Sequence, residues 1–129
     1  MVFQVGDVTK MPEFEDSSFD LAIDKSTIDA LLCGENSFIM VARMLKETQR
    51  VLKTDGVYFA ISYGKPESRS FHLSHPFLIW DQREFVLYDA DCETQEDKDS
   101  KSHYIYVCTK LEGADKMSDK HFDECIKLM

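Results

Sequence analysis

The sequence predicts an α/β domain built on a mixed β-sheet, and three observations lead to this prediction. Residues 21–23 are three consecutive apolar side chains, which is typical of a strand buried on both faces of a parallel sheet. Residues 37–53 carry apolar side chains at helical spacing. Residues 57–62 then form a strongly apolar run with strand character. Strands that alternate with helices indicate α/β architecture.

The N-terminal elements follow from local breaks in the pattern. Residues 2–5 are a short, mostly apolar run that we expect to be a strand, and Pro12 prevents a helix after it. After the strand at residues 21–23, residues 26–33 fit a short helix that is capped by Ser26 or Thr27.

The C-terminal half carries a weaker pattern. One or two helical turns are expected within residues 68–73. Residues 83–88 and 103–111 are predicted to be strands that close the sheet as an antiparallel pair. The acidic stretch at residues 89–99 between them is expected to be a mobile loop. Residues 118–128 can form a C-terminal helix.

Length and composition restrict the class of protein. A chain of 129 residues with 43% hydrophobic side chains fits one globular domain. The net charge of −9 argues against nucleic acid as a partner, since phosphate binding needs a basic surface. It is compatible with a basic protein substrate, although solubility is the more ordinary reason for an acidic composition. No apolar run is long enough to span a membrane, so we expect a cytoplasmic protein with reduced thiols.

Neither the cysteines nor the histidines predict a metal site. The four cysteines show no paired short spacing, and Cys33 and Cys108 lie in apolar stretches where we expect core residues. His72 and His75 could place two imidazoles on one helix face, but no third ligand accompanies them. We therefore expect no bound metal.

A polar elbow after the strand at residues 21–23 is the strongest candidate for a functional site. Asp24, Lys25, Ser26 and Thr27 come at the carboxyl end of that strand, where open α/β sheets place ligand-binding groups. The elbow also fits a helix N-terminus, whose positive dipole end favours acidic side chains. Both interpretations can hold together.

Residues 14–31, FEDSSFDLAIDKSTIDAL, resemble the fourth-strand motif of class I S-adenosylmethionine (SAM) dependent methyltransferases. The similar subgroup is the methyltransferase-like group that includes elongation-factor-1A lysine methyltransferases. GDV at residues 6–8 resembles the third-strand motif, and QRVLK at residues 49–53 is a second point of resemblance. The resemblance covers most of residues 6–110. It implies a Rossmann-like fold, SAM as cofactor and protein lysine methylation as the parent activity.

The resemblance implies cofactor contacts for three residues. The Asp7 carboxylate would accept a hydrogen bond from the adenine amino group, and the backbone N–H of Val8 would meet the ring. The alternative is that Asp7 only begins a turn. Asp24 would lie beside the methionine part of SAM.

The resemblance also implies a substrate side. Asp24 and Lys25 are the candidate catalytic residues, because a carboxylate can orient or deprotonate the lysine amine that attacks the methyl group. Lys25 could instead pair with a neighbouring carboxylate. Tyr63 and Gly64 would line the acceptor pocket, with Tyr63 as an aromatic wall, unless Tyr63 simply lies at the solvent edge. The segment around His72 is expected to be a lid or substrate loop.

Several parts of that family's fold have no counterpart in this sequence. The first two strands, the Gly-rich loop and the acidic residue that holds the ribose are missing. We therefore expect an incomplete class I methyltransferase fold over residues 1–129 that alone binds SAM poorly. The strand at residues 21–24 would have an unpaired edge, which favours pairing or aggregation. The alternative function is a non-catalytic half-domain that pairs through this edge with a full-length paralogue or with a second copy of itself.

Overall fold

The computed structural model describes residues 3–87 and 103–127, and these residues form a four-stranded sheet with four helices. In chain order, the elements are β1 Phe19–Lys25, α1 Thr27–Leu32, α2 Ser37–Val51, β2 Leu52–Ser62, α3 Pro66–Leu73, β3 Trp80–Leu87, β4 His103–Lys110 and α4 Ala114–Lys127.

The sheet is mixed, with the strand order β1-β2-β4-β3. β1 pairs with β2 in parallel, and β4 lies antiparallel to both β2 and β3. The predicted α/β class and the antiparallel C-terminal strand pair are therefore confirmed. The acidic stretch at residues 89–99, which was predicted to be a mobile loop, lies outside the described residues.

Helix α1 begins differently from the prediction. Ser26 has a left-handed backbone conformation, with φ at 63°, and its side chain makes no cap hydrogen bond. The cap comes instead from Asp24, whose Oδ1 accepts a 2.7 Å hydrogen bond from the Thr27 N–H. The prediction of a Ser26 or Thr27 cap was wrong, because the strand-terminal carboxylate reaches the first turn of the helix.

All four helices contribute to one core on a single face of the sheet. Side chains of β2 and β4 that point to this face are buried, and Val41, Ala42 and Leu45 of α2 pack over them. Phe122, Cys125 and Ile126 of α4 are partly buried and pack against this core. The core residues are Ile28, Val41, Ala42, Met44, Leu45, Leu52, Tyr58, Ala60, Leu73, Phe77, Leu78, Trp80, Tyr104, Tyr106 and Cys108.

The opposite face of the sheet is not covered by any helix in the described part of the chain. Leu21 and Ile23 of β1 point to this face and are 52% and 68% exposed. Val57 and Phe59 are their partners on β2 and are only half-buried. The prediction that β1 is buried on both faces was therefore wrong, because only one side of the sheet carries a helical layer.

Two further predictions need correction. Residues 3–6 form no strand, and Phe3 and Val5 are almost fully exposed. A single short strand has no stability without neighbours to pair with, and the sheet places none beside it. Cys108 is in the core as predicted, but Cys33 is exposed because it lies at the C-terminal end of α1.

Candidate functional site

The Asp24 carboxylate lies at the carboxyl end of β1 and is only 7% exposed. Its Oδ2 accepts a 2.6 Å hydrogen bond from the Tyr58 hydroxyl, and its Oδ1 accepts from the Thr27 N–H. Burial raises the pKa of Tyr58 well above its usual value, and the Asp24 charge and this hydrogen bond raise it further. Tyr58 therefore remains a proton donor to Asp24 across the physiological range. The arrangement joins β1, the start of α1 and β2 at one point.

A cavity of about 270 Å³ runs along the outer edge of β1. Among the described residues, β1 pairs only with β2, so this edge is open. Five β1 side chains line the cavity, and its walls are mostly apolar except near Asp24, Thr27, Thr48 and Tyr58. The lining residues are Val8, Met11, Phe14, Phe19, Leu21, Ala22, Ile23, Asp24, Thr27, Met44, Thr48, Val51 and Tyr58.

The loop that forms the outer wall of this cavity is held by Arg50 of α2. The Arg50 guanidinium donates hydrogen bonds to the carbonyl oxygens of Met11 and Phe14, at 2.8 and 2.9 Å, and to the Asp16 carboxylate at 2.7 Å. Glu47 accepts from the Met11 N–H at 2.9 Å and pairs with Arg50 at 2.8 Å. The QRVLK segment therefore connects the loop after Val8 to the helix beneath it.

Asp7 and Val8 are adjacent in sequence, but they border different depressions of the surface. Asp7 is exposed, and its Oδ1 accepts hydrogen bonds from the N–H and the hydroxyl of Thr9, at 2.9 and 2.7 Å. These two hydrogen bonds lower the pKa of Asp7. Asp7 thus begins a turn, as the alternative prediction stated. Val8 lines the edge cavity together with Asp24, whereas Asp7 borders a separate shallow groove with Gln4.

A second carboxylate, Asp29 of α1, lies in a polar cluster at the end of β2. Its Oδ1 accepts from the Ser62 hydroxyl at 2.5 Å and from Arg69 Nη2 at 2.7 Å. Its Oδ2 accepts from the Tyr63 N–H at 3.0 Å. Burial raises the pKa of Asp29, but the hydrogen bonds and the charge of Arg69 outweigh it, so the net pKa is lowered.

The residues predicted on the substrate side lie near this cluster or beside it. Tyr63 is 62% exposed, and its ring packs on His103 with centroids 4.4 Å apart. Gly64 follows on the same loop, and its carbonyl oxygen accepts a 2.6 Å hydrogen bond from the Tyr106 hydroxyl. Lys25 is exposed at the end of β1, and the ion-pair partner of Asp29 is Arg69 rather than Lys25.

The histidine segment is part of the core. His72 and His75 are buried, and their rings pack against Phe38, Phe71 and Phe77. Burial lowers the pKa of His72 to about 4, with smaller contributions from the charges of His75 and Arg69. His72 lies on helix α3 and His75 in the connection after it, so both histidines belong to a packed segment rather than to an open loop.

Sequence reasoning missed Tyr58, Ser62 and Arg69. Tyr58 and Ser62 occupy alternate positions with Ala60 on the helix-facing side of β2, so the period of the strand could have identified both as inward-pointing polar groups. Arg69 carries no comparable signal, because its partner lies 40 positions earlier in the chain.

No group of three or more His, Cys, Asp or Glu side chains suited to a metal ion is found in residues 3–87 and 103–127. In the same residues, the helices are too short or too polar to cross a bilayer.

Comparison with known proteins identifies the family. The model of the family described as "Methyltransferase domain" matches residues 1–106. The chain is 30% identical over 112 residues to the eEF1A lysine and N-terminal methyltransferase of Danio rerio, covering 87% of this chain and 16% of that protein. It is 32% identical over 99 residues to the mitochondrial citrate synthase-lysine N-methyltransferase of Danio rerio, covering 74% of this chain and 36% of that protein.

A solved structure shows the same fold. The SAM-dependent methyltransferase from Methanosarcina mazei superposes with a TM-score of 0.57 at 18% identity, covering 84% of this chain and 66% of that one. The fold is therefore that of the Rossmann-like SAM-dependent methyltransferases, and the chain belongs to the methyltransferase domain family. It spans between a sixth and two fifths of the length of the two zebrafish relatives that it matches.

Proposed function

We propose that this chain supplies the acceptor-side half of a SAM-dependent protein lysine methyltransferase. The main support is its membership of the methyltransferase domain family together with relatives named as lysine methyltransferases. The geometry adds a buried carboxylate, Asp24, at the carboxyl end of a parallel strand, where α/β sheets bind ligands.

The described residues fit SAM only in part. Val8 and Asp24 border one cavity, which is compatible with adenine and methionine contacts to a single ligand, and the Asp7 carboxylate lies next to Val8 in sequence. The cavity lining contains one carboxylate and no cation, so groups for the ribose hydroxyls and for the SAM carboxylate must come from elsewhere. SAM, when bound, supplies a methyl group on a positively charged sulfur. The chain alone would therefore bind it weakly.

Asp24 is proposed to orient the reacting groups. Because both of its oxygens already accept hydrogen bonds and it is nearly inaccessible, it suits a fixed negative charge better than a proton acceptor. Lys25 is exposed at the next position of β1, and we propose that it contributes to the acceptor side of the site. Tyr63 and Gly64 are proposed to border the acceptor side chain, with the Tyr63 ring flanking its aliphatic stem.

A complementation experiment tests this proposal. The N-terminal half of a methyltransferase domain from the same family, with its Gly-rich loop, is fused before residue 1 or added as a separate chain. Transfer of radiolabelled methyl groups from SAM to recombinant eEF1A, or to a lysine-rich protein mixture, should then appear. Asp24→Ala should reduce the rate at least tenfold, because losing one preorganised electrostatic contact in a water-excluded active site typically costs about 3 kcal/mol.

The control is Asp20→Ala, which removes an exposed carboxylate of the same strand that pairs with Lys53 at 3.5 Å. It should leave the rate unchanged. If the assembled protein transfers no methyl group to any lysine acceptor, the proposed activity is wrong.

A second candidate function is favoured by the open edge of β1. The edge, the apolar cavity along it and the exposed Leu21 and Ile23 form one continuous apolar region. Unpaired backbone groups at an open edge favour the addition of another strand. On this proposal, the chain is a non-catalytic half-domain that pairs through β1 with a full-length paralogue or with a second copy of itself.

Sedimentation equilibrium and SAM titration separate the two candidates. A stable dimer without SAM affinity favours the half-domain, and methyl transfer after complementation favours the enzyme. A chain that stays monomeric at all concentrations, and that does not bind an added N-terminal half, contradicts the pairing function.

A further inference from the structure

The loop between β2 and α3 is held from three sides by a polar cluster, and this cluster carries an inference that rests on the proposed function. We define the Asp29 cluster as Asp29, Ser62 and Arg69. From it, we propose that Asp29 and Arg69 are positioning residues that fix the Tyr63–Gly64 loop as one wall of the site for the acceptor lysine side chain.

Hydrogen bonds to the loop backbone are the first part of the argument. The Tyr63 N–H donates to Asp29 Oδ2 at 3.0 Å, and the Gly64 N–H donates to the Ser62 hydroxyl oxygen at 3.0 Å. The Gly64 carbonyl oxygen accepts from the Tyr106 hydroxyl at 2.6 Å. Three backbone polar groups of the loop are thus satisfied by side chains from α1, β2 and β4.

The charge pair is the second part. Arg69 Nη2 lies 2.7 Å from Asp29 Oδ1, and both side chains are less than one-fifth exposed. Arg69 Nε also donates to the Ser62 hydroxyl at 3.2 Å. A shielded pair with several additional hydrogen bonds holds its geometry far better than an exposed one. Helix α3 is therefore connected to helix α1 across the end of β2.

Close packing is the third part. A Cβ atom at Gly64 would lie 2.1 Å from Cζ of Arg69, so the guanidinium occupies the space next to the glycine backbone. A side chain at this position would therefore require the Arg69 guanidinium to shift. The sequence Ser62-Tyr63-Gly64 thus combines an acceptor for Arg69, an outward aromatic ring and the space that the guanidinium needs.

These contacts fix the backbone of Tyr63 and Gly64, while the Tyr63 ring stays accessible to solvent. The Tyr63 ring packs on His103, and 62% of the residue stays exposed to solvent. An aromatic ring on a rigid backbone suits the aliphatic stem and ammonium group of lysine. Asp29 and Arg69 have little exposure themselves, so they act through the loop and do not touch the substrate.

Hydrogen exchange of the full chain tests the positioning role without relying on activity. Asp29→Ala removes the acceptor of the Tyr63 N–H, while alanine itself favours helix α1. The exchange rates of the Tyr63 and Gly64 amides should rise about tenfold or more, and those of residues 57–61 in β2 should not change. Asp29→Asn keeps one oxygen acceptor and should give an intermediate rate. If Asp29→Ala prevents folding, Arg69→Lys is measured in its place.

Methyl transfer by the complemented protein tests the acceptor role. The KM for the protein substrate should rise at least fivefold in Asp29→Ala, while the affinity for SAM stays within twofold of the unsubstituted protein. Asp20→Ala, the exposed control on β1, should change neither the amide rates nor KM.

Each outcome decides one part of the inference. Unchanged amide rates in both Asp29→Ala and Arg69→Lys overturn the positioning role. Faster exchange with an unchanged KM overturns the acceptor-wall role. If the complemented protein shows no methyl transfer, the proposed function and the acceptor-wall role both fail, and the amide rates still decide whether the cluster holds the loop.

Discussion

The Tyr58 hydroxyl donates a 2.6 Å hydrogen bond to the Asp24 carboxylate across the buried face of β1 and β2. Both groups are almost inaccessible to solvent, and the Tyr58 ring stacks on Trp80 with centroids 5.7 Å apart. The charge at the elbow is therefore connected to the core of the antiparallel half of the sheet. A substitution at Tyr58 should therefore change both the free energy of unfolding and the geometry of the candidate site.

Tyr58→Phe should lower the free energy of unfolding by about 1.5–3 kcal/mol, because a buried carboxylate oxygen loses a neutral donor. Urea denaturation followed by the fluorescence of Trp80 measures this change. Tyr104→Phe is the matched control, since Tyr104 is a buried tyrosine of β4 that makes no side-chain hydrogen bond within the described residues. If both substitutions lower the free energy of unfolding equally, the hydrogen bond between Tyr58 and Asp24 adds no stability beyond that of an ordinary buried tyrosine.

The chain alone, without an added N-terminal half, should bind SAM weakly. Asp7 contributes one adenine contact at most, worth about 1 kcal/mol net, and the lining of the cavity beside Val8 contains no cationic side chain to pair with the SAM carboxylate. We expect a dissociation constant in the millimolar range or weaker, measured by isothermal titration calorimetry. Micromolar binding by the chain alone would mean that the residues described above hold SAM more completely than their chemistry suggests.

Stability should fall as the solution becomes acidic. His72 has its pKa lowered from 6.5 to about 4 by burial, and burial also lowers the pKa of His75. The unfolded chain therefore binds more protons than the folded one between about pH 6.5 and pH 4. The resulting stability is fully present above pH 6.5 and is lost as the pH falls through this window, and the shift on His72 corresponds to about 3 kcal/mol at most.

Urea midpoints between pH 7.5 and pH 4.5 measure this dependence. His72→Phe removes one titrating ring while keeping an aromatic group beside Phe38 and Phe71, so the slope with pH should decrease. A slope that survives His72→Phe in full would assign the acid sensitivity to other groups.

The uncovered sheet face should control self-association. Ile23→Lys replaces a side chain that is 68% exposed, so the free energy of unfolding should change by only about 0.5 kcal/mol. Light scattering at increasing concentration should nevertheless show fewer oligomers, because a charge now interrupts the apolar face. Phe38→Lys, at a 50% exposed apolar residue on the helical side, should reduce association far less.

The sequence predicted the elements whose signals are local. The apolar period of α2 gave its limits to within two residues, and the runs in β2 and β4 identified the strands that carry the core. The residues near the elbow were also identified as a candidate site, because polar side chains after an apolar strand are visible without a structure. What the local pattern could not provide is which carboxylate oxygen bonds to which partner.

The errors came from interactions that join distant parts of the chain. Residues 3–5 have strand-forming side chains, yet a strand exists only where another strand is present to pair with it. The exposure of Leu21 and Ile23 follows from the absence of a second helical layer among the described residues, which no property of β1 itself reveals. Arg69 was missed for the same reason, since its two partners lie on other elements.

The strand order sets a constraint on how the chain can fold during synthesis. Among the described strands, β3 pairs with β4 alone, and β4 is also the strand that joins β3 to β2. A nascent chain that has released β3 but not β4 therefore carries a strand whose backbone has lost the partner that it has in the folded sheet. The ribosome must release β4 before β3 can join the sheet. A pause in translation between β3 and β4 would therefore prolong the interval in which the incomplete sheet needs a chaperone.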